Sequence, residues 1–217
     1  MAQLDQQSRL SPGYALLVPD AFSGNAARER SKLALQLGQP EVALAEAREQ
    51  IALRPMPAES LSLLALAAIE TGNSDIAQEA LGAASRRGWR EPLAQYASGE
   101  AALNQGLEAV AAQRIAALFA TGNLRKPAYT LLARLVETSE GREAFAERLA
   151  AFGRWQSQIV LGAADYATAE NWSSTIAMAL DQGAKLNCDQ VHRLAERYRR
   201  ANRLDAVARL QTGACRS

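Results

Sequence analysis

Residues 59–84 read ESLSLLALAAIETGNSDIAQEALGAA, and this stretch decides the fold. Leu61, Leu64, Ala65 and Ala68 stand at i, i+3, i+4 and i+7, the apolar stripe of an amphipathic helix. Gly72 follows where a helix needs the left-handed conformation to stop. Asn73, Ser74 and Asp75 offer oxygens to cap the next helix. Ile76, Ala77, Ala80, Leu81 and Ala84 then line one face of that returning helix. The stretch therefore predicts two helices joined by a tight turn.

Working outward, the same hairpin recurs with a period of 34 residues. Gly38, Gly72 and Gly106 keep this interval, and so do Ala43, Ala77 and Ala111, each five residues after its glycine. Ser31, Ala65 and Gly99 form a third column, seven residues before the glycine. A fixed period carrying three small-residue columns is the signature of a repeat architecture. Small residues suit a close helix crossing, because a larger side chain there costs roughly 1–3 kcal/mol in strain.

These columns resemble the tetratricopeptide repeat (TPR), in which a small residue mid-helix is followed by a glycine turn, an alanine and often a closing proline. Ser31, Gly38, Ala43 and Pro55 meet that pattern, then Ala65, Gly72, Ala77 and Ala84, then Gly99, Gly106 and Ala111. The family's bulky aromatic early in the first helix is replaced by Ala27, Leu61 and Gln95, and Leu118 stands where alanine is usual. The resemblance covers residues 24–125 and degenerates over 126–217. It implies an all-α, right-handed α-solenoid of about six TPR-like helix-turn-helix hairpins, continuous over 24–217, with the last repeats atypical and acting as a cap. Residues 1–23 lie outside the repeat. Their cluster Tyr14, Leu16, Leu17 and Val18 reads as a tail or a strap, and docking is expected because clustered apolar residues seldom stay solvated.

Beyond Lys126 the rhythm loosens. Pro127 is expected to precede a helix reaching about Thr138, and Gly141 with Ala146 repeats the glycine–alanine offset. Gly153 breaks the chain before a helix containing Leu161 and Gly162. Glu170, Asn171 and Trp172 read as a turn before a helix over 173–181, and a last pair is expected over 188–200 and 204–211.

Composition narrows the function. The chain has 217 residues, 48% of them hydrophobic and 46 of them alanine, as close-packed helices require. A net charge of +1 argues against wholesale nucleic-acid or membrane-surface binding. One histidine and two cysteines leave little for a metal site or a nucleophile–base pair. No phosphate loop, nucleophile elbow or zinc-protease motif occurs. The reading is therefore non-enzymatic, with no cofactor and no metal. Cys188 and Cys215 have no metal-ligand spacing and read as idle or buried thiols in preference to a disulfide. His192 reads as a solvated residue of a basic helix, and Asn171-Trp172-Ser173 as a chance glycosylation triplet. Arg86, Arg87 and Arg90 around Trp89 read as closing the second repeat, and Trp155 and Trp172 as core. No apolar run is long enough for a secretory signal or a membrane span. The chain reads as cytoplasmic, or as periplasmic or membrane-tethered if further residues precede it.

What remains is the inner surface on which TPR proteins bind peptides. The register implied by the resemblance puts Asn25, Arg28, Lys32 and Gln36 there, then Glu59, Ser62, Leu66, Ile69 and Glu70, then Leu93, Tyr96, Glu100, Leu103 and Asn104. The core of this set is Arg28, Lys32, Ser62, Leu66, Ile69, Tyr96, Glu100 and Leu103. Such a groove suits a protein segment with apolar anchors and mixed charge. The plainer alternative is that Leu66, Ile69 and Leu103 only pack against neighbouring helices. Arg28, Lys32, Leu63, Leu93 and Ala97 do not reproduce the family's carboxylate clamp. An adaptor or scaffold within a larger bacterial assembly follows by analogy of fold, for instance one serving the cell envelope, export or polysaccharide production. Residues 185–217 carry eight basic and three acidic side chains, so a polyanion or nucleic-acid binder is one alternative. A helical enzyme or small-molecule site is another, and a homodimer through an uncapped repeat face a third.

Overall fold

The computed structural model describes residues 1–88, 90–151, 153–211 and 215, and they contain helices and no strand. The chain divides into two compact units, Met1–Ala94 and Gln95–Ser217.

In the first unit, a short helix α1 (Ala2–Gln7) and two 3-10 turns (Pro12–Leu17 and Asp20–Phe22) precede α2 (Ala26–Gln36), α3 (Pro40–Leu53), α4 (Ala58–Glu70) and α5 (Ser74–Arg87). Successive helices pack on one another, and α2 also meets α4. Gly38 and Gly72 adopt φ of 67° and 74°. At each, the glycine N–H donates to the carbonyl three residues back, and the next N–H reaches the carbonyl five back, at 2.8 Å for Gln39 to Ala34 and for Asn73 to Ala68. This double bond set satisfies the last orphan carbonyls of each helix. The capping oxygens expected after Gly72 are not used that way, because the Asn73 amide turns back to donate to Thr71 Oγ1 at 2.8 Å.

Small residues hold the hairpins close. Ser31 is fully buried and donates from its hydroxyl to the Ala43 carbonyl across the α2–α3 pair at 2.8 Å. Ala65, one period on, is also fully buried. The apolar residues form three separate clusters, one around Ala34, Ala43, Leu44, Ala67 and Ala68, one around Leu61, Ala84 and Ala94, and one joining Ala15 and Val18 to Ala26. The last seats the N-terminal segment on α2 through Ala15 and Val18, whereas Tyr14, Leu16 and Leu17 of the expected apolar cluster stay exposed, at 43%, 67% and 64%. There the Asp5 carboxylate accepts from the backbone N–H of Asn25 and of Ala26, both at 2.8 Å, supplying the α2 cap that Asn25 does not. Arg30 donates to the carbonyls of Ala15 and Val18 and pairs with Asp20 and Glu46.

The second unit receives most of α6 (Pro92–Asn104) and continues through α7 (Glu108–Thr121), α8 (Arg125–Leu135), α9 (Ser139–Ala150), α10 (Gln156–Ile159), a 3-10 turn (Gly162–Asp165), α11 (Ala169–Asp181), α12 (Cys188–Arg200) and α13 (Leu204–Leu210). Gly106 repeats the turn of Gly38 and Gly72, with φ 65°. Gly183 and Asn202 close α11 and α12 with the same bonds, although no 34-residue spacing announces them. A single core runs through this unit and contains Phe119, Tyr129, Phe145 and Trp172, with Trp155 packed against it. Phe119 stacks on Trp155 at 6.1 Å between ring centroids and tilts on Tyr129 at 4.9 Å.

Three expectations are corrected in this unit. Gly141 is not a turn residue but lies buried in the first turn of α9, where a Cβ would come within 1.8 Å of the Leu135 carbonyl oxygen. Glu170, Asn171 and Trp172 belong to α11, begun by the Thr168 cap, and Trp172 is core, its indole N–H donating to the Val160 carbonyl at 2.8 Å. Cys188 and Cys215 are disulfide-bonded, with Cα atoms 5.3 Å apart. Trp89, expected to fill the second repeat, lies outside the described residues.

Candidate functional site

The candidate groove residues fall in both units. In the first, Arg28 and Lys32 on α2 do not present free cations, because both close on Glu29, at 3.4 and 3.0 Å. Glu29 is itself buried, so the two cations screen one carboxylate at the helix surface. Asn25 is also buried, its amide bonded to Asp5 and its oxygen accepting from Arg54. Ser62 is only 4% exposed, and its hydroxyl has no hydrogen-bond partner among the described residues. Leu66 and Ile69 on α4 are different, at 38% and 52% exposed despite their size. Lys32 and Leu66 are one period apart on helices that pack together, as are the half-buried Leu35 and Ile69. Leu35 was not among the candidates, yet the 34-residue register alone would have nominated it.

In the second unit, Tyr96 and Leu103 on α6 are half-buried against the aromatic core. Glu100 lies 3.9 Å from Arg134 of α8, and Arg134 also donates to Asn104 Oδ1 at 2.8 Å. Arg134 follows Glu100 by one period, and that spacing is the signal by which it could have been found. This stretch is a polar ladder whose charges are already matched.

His192 is exposed and its Nε2 sits 2.8 Å from the Cys215 carbonyl oxygen. Arg87 donates to the Pro55 carbonyl. Asn171 accepts from Arg142 at 3.3 Å, and its triplet lies on a helix with Trp172 and Ser173 buried. Among the described residues, no group of three or more His, Cys, Asp or Glu is placed to hold a metal ion. No helix among them is long and apolar enough to cross a membrane. On α9, Glu140 is held below the usual carboxylate range by a backbone hydrogen bond, helped by the Ser139 hydroxyl. Compared with known families, curated proteins and solved structures, the chain matches none.

The α2–α4 face thus combines exposed apolar side chains with charges that are paired within α2.

Proposed function

We propose that the protein is a non-enzymatic adaptor, built of TPR-like hairpins in a right-handed solenoid, that binds a peptide segment of a partner protein. The observation that carries this reading is the exposure of Leu66 and Ile69 on α4. In a unit whose clusters are mostly alanine, Leu66 and Ile69 are two large side chains left 38% and 52% in solvent, available to a covering segment. A partner segment covering them would gain about 25 cal/mol per Å² of apolar surface removed from water. Arg28, Lys32 and Glu29 on the neighbouring α2 would supply polar contacts for register. Tyr96, Glu100 and Leu103 belong to the second unit and have partners of their own, so the binding face proposed is that of α2 and α4.

The Cys188–Cys215 disulfide supports an oxidising compartment, such as a bacterial periplasm, in place of the cytoplasmic expectation. A role in an envelope, export or polysaccharide assembly accords with that placement by analogy of fold.

The test is affinity capture from native extract by wild type and by Leu66→Asp/Ile69→Asp, followed by calorimetry with the purified partner segment. Both substitutions lie at exposed positions, so circular dichroism should be unchanged. A partner bound by the wild type and at least tenfold more weakly by the variant is the expected result. Equal affinities would end this reading of the face.

A further inference from the structure

The second unit carries two exposed stripes of opposite charge, independent of the α2–α4 face. On α9, Glu140, Glu143 and Glu147 are exposed and border a groove of about 410 Å³ together with Glu108 of α7. Leu107 and Val110 line the same groove, 47% and 40% exposed, and no cation lines it among the described residues. On α12, Arg193, Arg197 and Arg200 are exposed and line a second groove of about 670 Å³, together with Glu196, whose carboxylate is paired with Arg199.

The spacings are complementary in one direction only. The glutamates step by three residues and then four. The arginines step by four and then three, which becomes three and then four when α12 is read backwards. Laid antiparallel, Glu140 meets Arg200, Glu143 meets Arg197 and Glu147 meets Arg193. Both stripes then span seven residues, about 10 Å of helix. A parallel arrangement would throw the middle pair out by one residue, on a different part of the helix face.

The stripes are also available. Glu143, Arg193 and Arg200 have no ion pair among the described residues. Glu147 meets only its neighbour Arg148 at 3.6 Å. Arg197 pairs with Asp165 at 2.6 Å and donates to the Ala164 carbonyl at 3.3 Å, but both charged side chains are about half exposed, and such pairs exchange partners readily. The arginine stems would cover Leu107 and Val110 while their guanidinium groups reach the carboxylates.

We propose that the α9 glutamate stripe docks, antiparallel, on the α12 arginine stripe of a second copy of this chain, so that the protein self-associates through charge.

Light scattering on the purified full chain tests this, with three proteins beside the wild type. One carries Glu140→Lys, Glu143→Lys and Glu147→Lys; the second carries Arg193→Glu, Arg197→Glu and Arg200→Glu; the third carries all six. The wild type should show at least twice the 23.3 kDa chain mass at low ionic strength. It should return to the single-chain mass at about 1 M salt, where the screening length falls to about 3 Å. Each triple variant alone should stay at the single-chain mass, and a mixture of the two should associate. The sixfold variant should self-associate again, which an unfolded protein would not do. A wild type that stays at 23.3 kDa at low salt, or triple variants that associate as the wild type does, overturns the proposal. So does a mixture that stays apart.

Discussion

The two units solve the same packing problem with different residues. The first holds its helices with alanine and serine at close crossings, and its apolar residues fall into three separate clusters. The second has one continuous core built on Phe119, Tyr129, Phe145 and Trp172, and adds a disulfide at its C-terminal end. The first unit's clusters are small and separate, so its cooperativity should be local. Once the period lapses, large side chains reach several helices at once. Hydrogen exchange should therefore find the slowest amides in α8, α9 and α11, with α2–α5 opening at lower free energy.

The largest expected effect comes from removing the second unit's central anchor. Trp172→Ala deletes a fully buried ring that contacts Phe145 at 6.3 Å and bonds Val160. Such a truncation costs about 3–5 kcal/mol. Exchange measured by mass spectrometry should rise across α7–α11 and leave α2–α5 unchanged. Acceleration in both units alike would mean that they unfold together and that the contrast drawn between them is false. Breaking the disulfide is next. Cys188→Ser with Cys215→Ser opens a loop whose ends are 27 residues apart, worth about 2–4 kcal/mol by chain entropy. The loss should appear in denaturant midpoints and fall on α12 and α13.

How much of this was legible beforehand follows the same division. The glycine turns at 38, 72 and 106 stood out because left-handed backbone restricts the residue type, and the period repeats it. Asn202 and Gly183 make the same turn but fell outside the period, so periodicity could not nominate them. Gly141 was misread as a turn because glycine answers two needs, positive φ and close approach, and the sequence does not distinguish them. Here the approach to the Leu135 carbonyl is the constraint. Trp172 was assigned to the core but to the wrong element, since the Thr168 cap that starts α11 was not weighed against the apparent turn. In the candidate groove, exposure of Leu66 and Ile69 was compatible with the sequence. Capture of Arg28 and Lys32 by Glu29 depends on side-chain direction along one helix, which spacing alone does not settle.

Overpacking should hurt the first unit where truncation hurts the second. Ala65 is fully buried at the position equivalent to Ser31, whose hydroxyl touches the α3 backbone. Ala65→Leu adds three carbons to a crossing with no room and should cost about 1–3 kcal/mol, read as a lower melting temperature. The exchange change should be confined to α4, α5 and their neighbours. A neutral result would show that the alanine hairpins are loosely packed, and the small-residue columns would need another explanation.

The smallest effect concerns a hydroxyl in the second unit. Tyr198 on α12 is buried, and its phenol oxygen has no hydrogen-bond partner among the described residues. Burial pushes its pKa well above the ordinary tyrosine value of 10, with Arg197 opposing and Glu170 adding to the rise. The folded state therefore keeps the phenol neutral in a range where the unfolded chain ionises it. Below about pH 10 both states are protonated and the group contributes no pH dependence. Above that, proton release favours the unfolded chain and stability falls as pH climbs toward the folded value. Tyr198→Phe removes the titrating group and an unpartnered buried oxygen together. It should be neutral or up to about 1 kcal/mol more stable at pH 7, with a flatter decline between pH 10 and 11 by denaturant titration. A variant clearly less stable at pH 7 would mean the hydroxyl has a partner, and an equally steep alkaline decline would place the titration elsewhere.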